Sequence, residues 1–82
     1  MINLQSYNEV LDFLELFLQK YILDSNCFQD MQSILEGCRQ EKMVAIRAID
    51  SCFMEYRRKT QDYRTPTHEE QEIWRQVFNI WQ

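Results

Sequence analysis

The stretch SYNEVLDFLELFLQKYIL, residues 6–23, carries the clearest structural signal in the sequence. Its first four residues have the S-x-x-E form of a capping box, in which Ser6 accepts from a backbone N–H and Glu9 reaches back. The run Asp24-Ser25-Asn26 consists of turn-forming and N-cap residues, so we predict a first helix over residues 6–23. Apolar residues recur within it at the three- and four-residue steps of one helical face: Tyr7, Val10, Leu11, Leu14, Phe17, Leu18 and Tyr21.

Residues 26–60 continue the apolar pattern but allow two interpretations. Gly37 can end a second helix as its C-cap, so that a third helix begins shortly after it. Alternatively, one helix runs through Gly37, since an interior glycine costs only about 1 kcal/mol relative to alanine. A single helix of that length is long for a small domain. We therefore favour two helices, over residues 26–37 and 39–61, and leave the one-helix alternative open.

Residues 60–67 interrupt the helical pattern and lead into a last helix. This segment contains the only proline, Pro66, and lacks apolar periodicity. Thr67-His68-Glu69-Glu70 is a second capping box, and its acidic residues lie where the helix dipole favours negative charge. The sequence therefore predicts a helix over residues 68–81, rich in large apolar side chains: Ile73, Trp74, Val77, Phe78, Ile80 and Trp81.

Composition supports an all-α fold. The 82 residues include one glycine and one proline, too few turn formers for a sheet protein of this size. The length suits a single domain over residues 1–82. We predict a small antiparallel bundle of three or four helices, in which the last helix folds back onto the first.

The cysteines and the N-terminus point to a reducing compartment. Cys27, Cys38 and Cys52 form no CxxC pair, and we interpret them as reduced thiols packed among apolar groups. The N-terminus has no signal-peptide pattern, so we predict a cytoplasmic protein. The longest mainly apolar stretch, Val10–Leu23, is interrupted by polar residues and is not expected to enter a membrane.

Catalysis has little support in the sequence. The single histidine, His68, stands at a helix start, where the simplest interpretation is an exposed residue. His68 and Glu72 are four residues apart, but a metal site needs more ligands than two. The sequence contains no glycine-rich phosphate loop. We predict a protein that is not an enzyme and that uses no cofactor or metal.

The net charge of −4 is unevenly distributed. Residues 1–36 contain six acidic residues and one basic residue, whereas residues 37–64 contain seven basic and four acidic residues. An acidic chain is not typical of general nucleic-acid binders, but its surface can occupy the basic groove of a nuclease or toxin. The predicted partner-binding carboxylates are Asp12, Glu15, Asp24, Asp30 and Glu36, with Glu69, Glu70 and Glu72 as a second group.

Four cations form a basic segment near residue 60: Arg57, Arg58, Lys59 and Arg64. Two tyrosines lie among them, and such interleaving can hold a phosphate backbone and stack bases. The simpler interpretation is that cations near a helix C-terminus interact with its dipole and its last carbonyls. An acidic protein partner and nucleic acid stay open as functional alternatives.

Apolar residues extend beyond one face of the first and last helices, and they can either thicken a tight core or form a surface that meets a partner. Phe13 and Leu16 lie beside the main stripe of the first helix. Ile73 and Ile80 point away from the face that contains Trp74 and Trp81. We predict that these four apolar residues bind a partner, either another protein or a second copy of this chain.

In size and charge the chain resembles small helical proteins that neutralise another protein, such as immunity proteins and antitoxins. This resemblance implies a non-enzymatic, protein-binding inhibitor. Two other functions stay open: a homo-oligomeric helical adaptor or assembly factor, and a small regulator that contacts nucleic acid through the basic segment.

Overall fold

The computed structural model describes residues 2–82 and contains four α-helices and no strand over that range. The helices are α1 (Tyr7–Tyr21), α2 (Ser25–Glu41), α3 (Ile46–Thr60) and α4 (His68–Trp81). The prediction of an all-helical bundle is confirmed, and residues 26–60 form two helices as favoured. Over residues 2–82, no helix has the length and apolar character that crossing a bilayer requires.

Helix α2 runs back along α1, since Arg39 near the end of α2 pairs with Asp12 near the start of α1. Helix α4 lies against α1 in the opposite direction, since Glu70 near its start contacts Tyr21 and Trp81 at its end contacts Leu4. Large side chains tie distant parts of the sequence together, so contacts between helices fix their relative directions. These contacts include the Arg39–Asp12 ion pair between α2 and α1, the Trp74 Nε1–Asp50 Oδ1 hydrogen bond of 3.0 Å between α4 and α3, and the Tyr21 Oη–Glu70 Oε1 bond of 2.6 Å between α1 and α4.

The two predicted capping boxes have different outcomes. At α4, the Thr67 hydroxyl accepts from the Glu70 backbone N–H, and the Glu70 carboxylate accepts from the Thr67 N–H, so the box is complete. At α1, the Ser6 hydroxyl accepts from the Glu9 N–H as predicted. The Glu9 carboxylate instead accepts from the backbone N–H of Asn3, because the Ser6 N–H already donates to the Asn3 carbonyl.

The predicted boundary at Gly37 is wrong. Helix α2 continues through Gly37 to Glu41, and the left-handed C-cap is Lys42, with φ 56°. The N–H of Met43 donates to the Cys38 carbonyl, which closes the helix in a Schellman-type turn. The third helix therefore begins at Ile46 and not at residue 39.

Burial explains why the chain turns at Lys42. Val44 and Ile46 follow the turn and are both 0% exposed. A left-handed conformation costs a non-glycine residue about 1–2 kcal/mol. Burying two branched side chains gains more than that, at about 1.5–3 kcal/mol each. Tertiary packing, and not the glycine, sets the end of α2.

The core is entirely apolar among the residues described, and α1 is its centre. The Phe17 ring lies 5.4 Å from the Phe53 ring and 4.8 Å from the Trp74 ring, which joins α1, α3 and α4. The last helix thus folds back onto the first as predicted. The buried residues are Val10, Leu11, Leu14, Phe17, Leu18, Tyr21, Ile22, Met31, Leu35, Cys38, Val44, Ile46, Ile49, Phe53, Tyr56 and Val77.

Candidate functional site

Three of the five predicted carboxylates lie on one side of the molecule. Arg39 of α2 pairs with Asp12 at 3.0 Å and with Glu15 at 3.6 Å, both on α1. Glu36 lies one turn before Arg39 and lines the same shallow groove between α1 and α2. We call Asp12, Glu15 and Glu36 the acidic face. Arg39 pairs with two of these three carboxylates, and Glu36 has no ion-pair partner among residues 2–82, so the face keeps negative charge.

The other two predicted carboxylates lie apart from the acidic face. Asp24 is the N-cap of α2, and its side chain accepts from the Cys27 backbone N–H at 2.9 Å. That hydrogen bond is the main cause that lowers the pKa of Asp24. Asp30 faces α3 and lines a cavity of about 190 Å³ with Lys59. The structure therefore does not bring the five carboxylates together.

In the second acidic group, Glu70 and Glu72 already accept hydrogen bonds from other residues of the chain, whereas the Glu69 carboxylate accepts none from residues 2–82. Burial raises the pKa of Glu70, but hydrogen bonds from Tyr21, the Thr67 backbone and Lys20 outweigh it and lower the pKa to about 2. Bonds from Arg75 and Gln76 likewise lower the pKa of Glu72 to about 2. Glu69 is exposed. Among residues 2–82, no side chain forms an ion pair with it.

Two cations of the basic segment hold the loop between α3 and α4. Arg64 donates to the Tyr21 carbonyl at 2.8 Å and to the Asp62 carboxylate at 2.9 Å, and this pairing lowers the pKa of Asp62. Arg57 donates to the carbonyls of Asp62 and Arg64. Both guanidinium groups therefore bind carbonyls of the loop and of α1, and not the last carbonyls of α3 that the simpler interpretation named.

The remaining two cations are more exposed. Arg58 pairs with Glu55 one turn earlier on α3. Lys59 is exposed, and its charge helps to lower the pKa of Asp24 across the gap between α3 and α2. Three of the four cations, Arg57, Arg58 and Arg64, are therefore already bound to carbonyls or carboxylates within the described part of the chain.

An apolar groove of about 520 Å³ runs between the N-terminal segment and α4. We call it the α4 groove. Ile2, Leu4 and Ile73 form its apolar part, and the polar residues lining it are His68, Glu69, Glu72 and Gln76. Sequence reasoning identified Ile73 but missed Ile2 and Leu4. These two residues precede α1 and belong to no helical stripe, so periodicity gives no signal for them.

The other predicted apolar residues lie outside this groove. Leu16 is 67% exposed and Ile80 is 46% exposed, so both are accessible on their helices. Phe13 is half-buried, and its ring lies 6.0 Å from that of Phe17.

The thiols and the histidine do not converge. Cys38 is buried, and its Sγ accepts from the Ala45 backbone N–H at 3.4 Å. Cys27 and Cys52 are half-buried and line the cavity between α2 and α3. His68 is exposed at the first residue of α4. Within the described part of the chain, no three His, Cys, Asp or Glu side chains are grouped to hold a metal ion.

No protein-family model, no curated protein and no solved structure matches this chain. The function therefore has to be inferred from the geometry of the chain itself.

Proposed function

We propose that this chain is a non-enzymatic protein-binding module that neutralises a partner protein, in the manner of an immunity protein or antitoxin. The observation that carries the proposal is the acidic face on α1 and α2. Arg39 pairs with Asp12 and Glu15, and Glu36 lies one turn before it on α2 with no ion-pair partner among residues 2–82. A nuclease or toxin with a basic substrate groove is the complementary partner.

Most of the cations already contact other groups of the chain, which supports a partner that binds the carboxylates. Six of the nine Lys and Arg side chains contact carboxylates or carbonyls within the chain, which leaves few of them to contact a partner. They are Lys20, Arg39, Arg57, Arg58, Arg64 and Arg75. The same contacts weaken the nucleic-acid alternative, because Arg57 and Arg64 hold the loop.

Charge complementarity suits an inhibitor. Opposite potentials speed the encounter of two proteins by about tenfold to a thousandfold at low salt. Helices present the carboxylates without a further ordering cost, since their backbone is already fixed. A carboxylate surface that fills a basic groove also excludes the anionic substrate from that groove.

The test begins with a tagged chain expressed in its own cell. Proteins retained at about 0.15 M salt, where the Debye length is about 8 Å, are identified. Each is then purified and assayed with stoichiometric amounts of the chain. We expect one partner whose activity is lost in the complex. A partner that keeps its full activity when bound would contradict inhibition and favour an adaptor.

A pair of matched variants tests the acidic face. Asp12→Lys with Glu36→Lys should slow association about tenfold or more, because the face reverses its charge. Asp30→Lys with Glu41→Lys changes the net charge equally at exposed α2 positions outside the face. Equal effects of the two double variants would show that net charge matters and the face does not.

A homo-oligomeric adaptor is the second candidate, supported by the exposure of Leu16 and Ile80. If those side chains form a self-interface, light scattering should show a dimer that Ile80→Asp converts into a folded monomer. A wild-type monomer at about 0.1 mM, well above typical dimer dissociation constants, would argue against this candidate.

A further inference from the structure

We propose that the α4 groove binds an amphipathic helix of a partner protein that carries Lys or Arg beside its apolar residues. This inference rests on the proposed function only in that the partner is a protein. It concerns a surface other than the acidic face, on the N-terminal segment and α4. Three features of the groove support this occupant: its hydrogen-bonded wall, its negative charge, and the positions of its lining residues along α4.

The wall of the groove is held in place by hydrogen bonds. The indole Nε1 of Trp81 donates to the Leu4 carbonyl at 2.9 Å, which fixes the N-terminal segment against the end of α4. The Asn3 N–H donates to Glu9, and the Ser6 N–H donates to the Asn3 carbonyl. The groove is therefore formed before a ligand arrives, which lowers the entropic cost of binding.

The charge of the groove selects a cationic ligand. Glu69 and Glu72 line it, and no Lys or Arg is among its lining residues. Glu72 already pairs with Arg75, whereas Glu69 has no ion-pair partner among residues 2–82. The Glu69 carboxylate is thus the group best placed to receive a partner cation, next to the apolar surface of Ile73.

The spacing of the groove suits a helix. Glu69, Ile73 and Gln76 lie on successive turns of α4, so they extend along about 10 Å of helix axis. An amphipathic helix presents anchors at steps of three and four residues over the same distance. Two apolar anchors can then contact Ile2, Leu4 and Ile73 while a flanking Lys or Arg reaches Glu69.

Synthetic peptides test the proposal on the whole purified chain. The probe is a fluorescently labelled Leu/Lys amphipathic helix. One matched peptide replaces its Leu stripe with Ser, and another replaces its Lys residues with Glu. Anisotropy measures affinity, and methyl NMR shifts of Ile2, Leu4 and Ile73 report the site. We expect the Leu/Lys peptide to bind and both matched peptides to bind at least tenfold more weakly.

Variants of the chain locate the contact. Ile73→Ser should weaken binding of the Leu/Lys peptide about tenfold, whereas Ile80→Ser, on the same helix outside the groove, should change it less than twofold. Glu69→Lys should weaken the Leu/Lys peptide and strengthen the Leu/Glu peptide. Circular dichroism checks the fold of each variant. If Ile73→Ser fails to fold, the effect of the exposed Glu69→Lys exchange on the affinities of the two peptides tests the proposal.

Several outcomes would overturn the proposal. Equal binding of the peptide without the Leu stripe would reduce the interaction to surface electrostatics, and absence of binding would reject the groove. A wild-type dimer that Ile73→Ser dissociates would show that a second copy is the occupant. Because these experiments need no natural partner, their failure is distinguishable from failure of the proposed neutralising function.

Discussion

Helices α1 and α4 have nearly the same length, fifteen and fourteen residues, yet they are buried to different extents. In α1, six residues are buried, and they form the centre of the core. In α4, only Val77 is buried. Four other apolar α4 side chains, Ile73, Trp74, Phe78 and Trp81, are partly buried against the core. Directed bonds attach α4 as well: Glu70 to Tyr21 and Lys20, Trp74 to Asp50, and Trp81 to the Leu4 carbonyl.

Both helices combine a structural role with apolar surface on the outside of the molecule. Leu16 of α1 and Ile80 of α4 are exposed, and Ile73 of α4 is half-buried. Apolar surface left at the outside is typical of interaction sites. The bonds of α4 hold both of its ends, since Glu70 contacts Tyr21 and Trp81 contacts the Leu4 carbonyl.

The largest expected effect is in α1. Leu14→Ala should lower the free energy of unfolding by about 3–5 kcal/mol, because Leu14 is 0% exposed and its removal leaves a cavity among close-packed helices. A small domain has a total of about 5–15 kcal/mol. Urea denaturation followed by circular dichroism measures the change. A loss below about 1 kcal/mol would show that α1 is not the centre of the core.

A matched pair of valines sharpens the comparison. Val10 in α1 and Val77 in α4 are both 0% exposed. Val10→Ala should cost about 2 kcal/mol, and Val77→Ala about 1 kcal/mol, because the half-buried neighbours of Val77 can relax into the space. If Val77→Ala costs as much as Val10→Ala, burial holds both helices equally and the distinction between them fails.

The next effect concerns the carboxylate that anchors α4. The folded-state pKa of Glu70 is about 2, below the ordinary value of 4.5, so its ionised form stabilises the fold. This contribution, of the order of 2 kcal/mol, is complete above about pH 5 and is lost as the pH falls from about 4.5 to 2. Glu70→Gln should therefore destabilise the chain at pH 7.

The pH dependence distinguishes this anchor from a general loss of contacts. The difference in stability between the wild type and Glu70→Gln should be largest at pH 7 and should shrink steadily as the pH falls from about 4.5 to 2. Glu69→Gln is the control, since Glu69 is exposed on the same helical turn. A constant difference at all pH values would contradict the role assigned to the ionised Glu70.

Much of the fold could be predicted from the sequence because local signals agreed with packing. The stripe of α1 became the core, and the Thr67–Glu70 box began α4 as predicted. The end of α2 could not be predicted, because burial of Val44 and Ile46 forces a left-handed lysine. Gly37 carries the usual C-cap signal but has a helical neighbourhood on both sides.

The candidate site was predicted less completely. Asp24, Asp30 and Glu36 are spaced by six residues, which turns each about 240° from the last on a helix. They therefore face three directions, and only Glu36 joins Asp12 and Glu15. Ile73 lines the α4 groove, and its position beside the face of Trp74 and Trp81 made it a candidate from the sequence. Its partners Ile2 and Leu4 depend on the path of the N-terminal segment, which tertiary contacts determine.

A smaller effect isolates one bond of α4. Trp74→Phe keeps an aromatic ring near Phe17 and Phe53 but removes the indole N–H that donates to Asp50. We expect a loss of about 1 kcal/mol, because water can reach the half-buried carboxylate once its donor is gone. A double-mutant cycle with Asp50→Ala measures the coupling. A coupling near zero would show that ring packing alone attaches this part of α4.

The smallest expected effect is a gain in stability, and it tests whether α2 continues through Gly37. Gly37 lies inside α2, and a Cβ added there would meet no atom within 4 Å. Gly37→Ala should therefore raise the free energy of unfolding by about 0.5–1 kcal/mol, since alanine loses less backbone entropy in a helix. The sign of the change is decisive, because a residue that ended the helix in a left-handed conformation would make alanine unfavourable.

Ser33→Ala is the control for a general gain in helix propensity. Ser33 lies at an exposed α2 position, and its hydroxyl donates to the Gln29 carbonyl. If urea denaturation shows that Gly37→Ala lowers the free energy of unfolding, α2 ends at Gly37 and does not continue to Glu41.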